Sequence, residues 1–97
     1  VFVDASAWIA LLNARDRHHP EAEGIFRSLV EKGELLLTTS WTVYEALTLL
    51  KSRVSLDVAE RLWETVTESP LVVMVRITEE IEAEALDIFF GYKDKPW

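Results

Sequence analysis

The stretch Pro70-Leu71-Val72-Val73-Met74-Val75-Arg76-Ile77-Thr78 decides the fold. Its near-continuous apolar run reads as a parallel strand covered on both faces, because a half-wet strand would alternate. Thr78 caps a helix whose first turn carries Glu79 and Glu80, acids that the helix dipole favours there. Ile81, Ala85, Ile88 and Phe89 form the expected core face of that helix. Upstream, Leu35-Leu36-Leu37-Thr38 is a second short strand and Val1-Phe2-Val3 a third. Between the strands the apolar period changes to that of helices. One runs over residues 5–14, with Trp8, Ile9, Leu11 and Leu12 on its apolar side. The next starts at Pro20 and reaches Lys32, with Gly33 as its left-handed stop. Ser40 caps a third helix to about Arg53, with the stripe Val43, Leu47, Leu50 and Val54. Ser55 caps a fourth, with Val58, Ala59, Leu62, Trp63 and Val66 facing inward. The order β-α-α-β-α-α-β-α requires right-handed crossovers. It predicts an α/β, three-layer α/β/α sandwich around a parallel sheet.

Ninety-seven residues, 49% apolar and 10% aromatic, describe one domain with a modest core and exclude intrinsic disorder. The chain opens in mid-strand at Val1 and stops inside the loop-like Tyr92-Lys93-Asp94-Lys95-Pro96-Trp97. It therefore reads as a single domain over residues 1–97, cut at both ends and lacking its C-terminal part. Ten basic against seventeen acidic residues give a net charge of −7. That excludes a protein that coats nucleic acid by general phosphate neutralisation, but not an enzyme that holds it through a local patch and bound cations. With no cysteine, disulfide scaffolds, thiolate zinc sites and Cys nucleophiles are excluded. The sequence shows no spanning segment and no signal segment, so a cytoplasmic protein without membrane contact is expected.

Ligands of open parallel sheets bind at the carboxyl ends of the strands. Asp4 stands at such an end. It suits the N-cap of the following helix, and a capping carboxylate keeps an oxygen for a cation. Ser6, two residues on, can hydrogen-bond a carboxylate or a phosphate from the first helical turn. Glu45 falls about 200° around its helix from the core stripe, yet its i±4 neighbours are Trp41 and Leu49. A carboxylate between two apolar side chains suggests a partly covered groove. Converging at one sheet edge, Asp4 and Glu45 are the hard oxygen ligands that Mg²⁺ shares with water and phosphate. The expectation is that the two carboxylates approach closely enough to share a hydrated ion.

Four segments, in order, carry a resemblance. Val1-Phe2-Val3-Asp4-Ala5-Ser6-Ala7-Trp8 resembles the opening D-x-S motif of PIN-domain ribonucleases, especially VapC-like toxins. Arg15-Asp16-Arg17-His18-His19-Pro20-Glu21-Ala22 is similar to the family's D-x-x-H-x-x-A stretch. Thr39-Ser40-Trp41-Thr42-Val43-Tyr44-Glu45-Ala46 looks like the segment of its second acid, and Tyr92-Lys93-Asp94-Lys95-Pro96-Trp97 like the lead-in to its third acidic motif. The resemblance implies a PIN-like fold and endonucleolytic cleavage of RNA dependent on Mg²⁺ or Mn²⁺, a metal-activated water attacking the phosphodiester. It implies Asp4 and Glu45 as catalytic, metal-binding acids and Ser6 as a supporting residue toward substrate. It also implies a small antitoxin protein as partner and a homodimer. The family's remaining acids follow the last segment, beyond Trp97, and Asp94 is not assigned as one of them.

The competing reading is a PIN-fold binding or scaffold module without catalysis. A receiver-like domain fits worse, for want of paired acids and a placed Lys. Other features have plain explanations: His18-His19 as packing or exposed detail, and Arg15, Arg17, Lys51 and Arg53 as solvated charges. Trp8, Trp41 and Trp63 read as packing, and Glu79, Glu80, Glu82 and Glu84 as a charged helix face. Trp41, Tyr44, Leu49, Trp63 and Phe90 are nevertheless too many for one small core, which favours a subunit contact.

Overall fold

The β-branched and leucine-rich segments pair where alternate side chains can leave water. Strand β1 (Leu36–Thr39) runs parallel to β2 (Val72–Val75), with Leu36 opposite Val72 and Thr39 opposite Val75. Residues 1–3 join the other side of β1 through a parallel bridge between Phe2 and Leu37. There the Val3 amide donates to the Leu37 carbonyl at 2.8 Å, and the Leu37 amide to that of Val1 at 2.7 Å. The computed structural model describes residues 1–91, so the expectation for Tyr92-Lys93-Asp94-Lys95-Pro96-Trp97 lies outside the described residues.

Five helices connect and cover these segments: α1 (Ala5–Leu12), α2 (His19–Glu31), α3 (Ser40–Arg53), α4 (Leu56–Glu68) and α5 (Glu79–Gly91). The expected α/β order with a parallel sheet is present, and boundaries shift by a residue or two. Leu36, Thr38 and Val72 point into a core shared with Trp8, Val43, Ala46, Leu50, Val58, Ala59, Leu62 and Val66. A fully buried Leu contributes roughly 1.5–3 kcal/mol, so Leu36, Leu50 and Leu62 are major terms. Gly33, at φ 68°, supplies the left-handed stop after α2 that side chains rarely adopt. Ser55 caps α4 as expected, its hydroxyl accepting from the Val58 amide.

Four local expectations change. Met74 packs against the core, but Val73 and Val75 are exposed, so the decisive strand alternates along its pleat. Phe2 and Leu37 are exposed beside them. The cap of α3 is Thr39, not Ser40: Thr39 Oγ1 accepts from the Thr42 amide, while Ser40 Oγ accepts from the Ile77 amide at 2.9 Å. Val54 leaves the core stripe because α3 ends at Arg53 and the helical period stops there. Ile81, Ile88 and Phe89 on α5 are exposed, Phe89 by 70%. The core closes with α1–α4, and among the described residues nothing buries that face.

Candidate active site at the carboxyl edge of the sheet

The site begins where residues 1–3 give way to α1. Asp4 takes extended backbone angles and caps α1, one carboxylate oxygen accepting from the Ala7 amide at 2.9 Å. Among the described residues its other oxygen has no hydrogen-bond partner, and the side chain is exposed. Capping and ion binding are thus compatible at this residue.

Asp4 is held in place from below by a buried polar relay. The Trp8 indole Nε1–H donates to Thr38 Oγ1 at 3.1 Å, and the Thr38 hydroxyl donates to the Val3 carbonyl at 3.1 Å. Trp8 and Thr38 are both fully buried. A buried hydroxyl is costly unless paired, and here it is used as both acceptor and donor. The relay joins α1, β1 and the residue preceding Asp4. Sequence reasoning missed Thr38. The available signal was the hydroxyl run Thr38-Thr39-Ser40 at the strand-to-helix junction, where each member takes a different task.

Glu45 lies in the second turn of α3, the helix that leaves the carboxyl end of β1. It is exposed, as its position opposite the buried Val43, Ala46 and Leu50 dictates. Asp4 and Glu45 are therefore carried by elements that start at the same sheet edge. Among the described residues no three His, Asp or Glu side chains gather into a group able to hold a metal ion. The donor chemistry still fits a hard divalent ion, with Asp4 Oδ2 and the Glu45 carboxylate as the oxygens this chain offers. Ser6 is exposed and lines a hollow of about 560 Å³ between α1 and α2, walled in part by Ile25, Phe26 and Leu29.

Trp41 is not packing. On the α3 wheel it stands about 160° from Val43, and it is 56% exposed, one turn from Glu45. Tyr44, also exposed, stacks on Trp63 with ring centroids 6.5 Å apart and planes at 30°. The His pair is packing detail as expected. His19 Nδ1 meets the Ala10 carbonyl at 2.8 Å and its Nε2 meets Glu23 at 2.8 Å, pinning α2 to α1, while His18 accepts from Arg17.

The family model for the PIN domain matches residues 1–96. The chain belongs to the PIN-domain family. The PIN chain is similar to a solved structure, the Mycobacterium tuberculosis toxin VapC20, described as cleaving the sarcin–ricin loop. The likeness has a TM-score of 0.77 at 26% identity, and it covers 99% of this chain and 71% of that one. No curated protein matches this PIN chain in sequence.

Proposed function

We propose that this PIN protein is a metal-dependent endoribonuclease of the VapC toxin type. The observation that carries the reading is Asp4: an exposed carboxylate at the carboxyl edge of a parallel sheet, with one oxygen fixed by the cap and the other unengaged among the described residues. Family membership and the likeness to an RNA-cleaving toxin support the same assignment. Asp4 and Glu45 hold the cation in this reading, and Ser6 offers its hydroxyl to the substrate phosphate. Bound Mg²⁺ or Mn²⁺ supplies charge neutralisation at the phosphate and activation of water. The cap keeps the Asp4 carboxylate in one orientation, so little reorganisation is needed when substrate arrives.

Labelled single-stranded RNA incubated with the protein is expected to be cut in Mg²⁺ or Mn²⁺ and left intact in EDTA. Cleavage that survives chelation refutes the metal mechanism. The second reading, a PIN-fold binding module without catalysis, draws on the absence of a three-ligand cluster among the described residues. It predicts RNA or protein binding with no cleavage in either cation.

A small antitoxin protein as partner, a cytoplasmic setting and a homodimer complete the proposal. Among the described residues no helix is long and apolar enough to cross a membrane. For the dimer, the support is the exposed Trp41 beside Tyr44 on α3. Leu49 and Trp63 are partly covered, and Phe90 is exposed. Sedimentation should give twice the monomer mass at micromolar concentration, shifting towards monomer in Trp41→Glu. A monomer at high micromolar concentration counts against the dimer.

A further inference from the structure

Half of the chain's six arginines line one hollow. Arg15, in the loop after α1, Arg53, in the last turn of α3, and Arg61, in the middle of α4, border a space of about 670 Å³. Ligand pockets span roughly 300–1,000 Å³, so the space is of a size to receive a group from outside. The hollow's one carboxylate, Glu23, is taken by His19 at 2.8 Å. Among the described residues no acid lies within ion-pair distance of any of the three guanidinium groups. Asp57 and Glu64 neighbour Arg61 along α4, yet neither pairs with it. Arg53 alone has a local explanation, since a cation in the last turn of a helix complements its dipole. That account covers neither Arg15 nor Arg61.

In a chain of net charge −7, three arginines that line one concavity, with no ion-pair partner among the described residues, form a local reversal of sign. Arginine suits phosphate, which its planar fork can engage through two parallel hydrogen bonds. The hollow sits at the C-terminal ends of α1 and α3, whereas Asp4 caps the start of α1 and Glu45 lies early in α3. At 1.5 Å per residue the separation along either helix is about 12 Å, within the span of a strand a few nucleotides long. We propose that Arg15, Arg53 and Arg61 form an anchoring subsite for the phosphodiester backbone of RNA, separate from the carboxylate site. The inference rests on the ribonuclease reading and names where the substrate is held while Asp4 and Glu45 act. A strand gripped there is positioned without its sequence being read, because phosphate contacts orient and base contacts specify.

The test measures binding of labelled single-stranded RNA by fluorescence anisotropy across a salt series. It uses the full chain with Asp4→Asn to prevent cutting. Each phosphate neutralised on a single strand contributes about 0.7 to the slope of log K against log salt. Changing Arg15, Arg53 and Arg61 together to Ala should therefore flatten the slope by about 2 and weaken binding about tenfold or more at 0.1 M salt. Arg27→Ala, an exposed arginine of α2 outside the hollow, shows the effect of one charge lost elsewhere and should leave both nearly unchanged. Should the triple variant fail to fold by circular dichroism, Arg61→Gln alone should flatten the slope by about 0.7. In the cleaving background the triple variant should raise KM and leave kcat within about twofold, as loss of uniform binding does. An unchanged slope and KM overturn the subsite. So does loss of binding to a polyglutamate peptide with RNA binding intact, which assigns the hollow to a protein ligand. A parent that neither binds nor cuts RNA overturns the function reading and this inference together. A parent that cuts RNA, with the triple variant its equal, overturns the subsite alone.

Discussion

Asp4→Asn should leave the protein folded and slow its RNA cleavage by at least about a hundredfold. The fold survives because Asn caps a helix about as well as Asp, its amide oxygen replacing Oδ1 as acceptor for the Ala7 amide. Cleavage does not, because the substitution removes a full negative charge where a divalent cation is to be held. Loss of a group that only orients a metal ligand costs about 10–100-fold, so loss of the ligand itself sets a higher floor. A hundredfold corresponds to about 2.7 kcal/mol of transition-state stabilisation. Helicity and thermal midpoint checked alongside single-turnover cleavage separate the two effects. An Asp4→Asn protein that cuts as fast as its parent removes Asp4 from the site, and with it the metal-nuclease reading.

How much of this could be read from the residues depends on whether a feature is set by local chemistry or by what lies across the fold. The Ser55 cap, the Gly33 stop and the inward stripe of Val58, Ala59, Leu62 and Val66 are local, and the structure shows them where the sequence puts them. Asp4 was legible for the same reason: a capping acid between a strand and a helix announces both its conformation and its place at a sheet edge. Trp41 departs from the expectation that an aromatic residue packs in the core, because the helical wheel sets it opposite the buried Val43. The exposed faces of β2 and α5 were illegible, since an apolar run states what a strand can bury and not whether a layer is present to bury it. The hollow of Arg15, Arg53 and Arg61 lay further out of reach. Its members come from a loop and two helices, spaced far apart along the chain, and Arg15 and Arg53 each read singly as a solvated charge. Convergence of that kind is a property of packing between helices, which no period in the sequence encodes.

The Trp8 relay ties stability to the site, and its removal is the largest structural effect expected. Trp8→Ala should destabilise the protein by about 3–5 kcal/mol, the usual cost of truncating a buried Trp. Trp8 is 0% exposed, with Leu36 and Val43 in the same core cluster, so the vacated space cannot be filled by solvent without wetting that cluster. Truncation also strips Thr38 Oγ1 of its indole donor inside the core. Against a total stability of about 5–15 kcal/mol for a domain, such a loss approaches unfolding at body temperature. With about 4–8 °C per kcal/mol for a chain of this size, the thermal midpoint should fall by at least about 12 °C. Trp8→Phe keeps one six-membered ring but loses the indole N–H and the volume of the fused five-membered ring, so it should cost about 1–3 kcal/mol. The order parent, Phe, Ala is the signature, and thermal unfolding followed by circular dichroism reads it. Equal midpoints for Phe and Ala would mean that the hydrogen bond, not the packing, dominates. An Ala variant within a few degrees of the parent would mean that neither does. In the Phe variant Thr38 can still donate to the Val3 carbonyl, so the backbone before Asp4 stays anchored. Cleavage by that variant, measured well below its midpoint, should therefore stay within a few-fold of the parent. A collapse of cleavage in a folded Trp8→Phe protein would show instead that the indole itself fixes the geometry around Asp4.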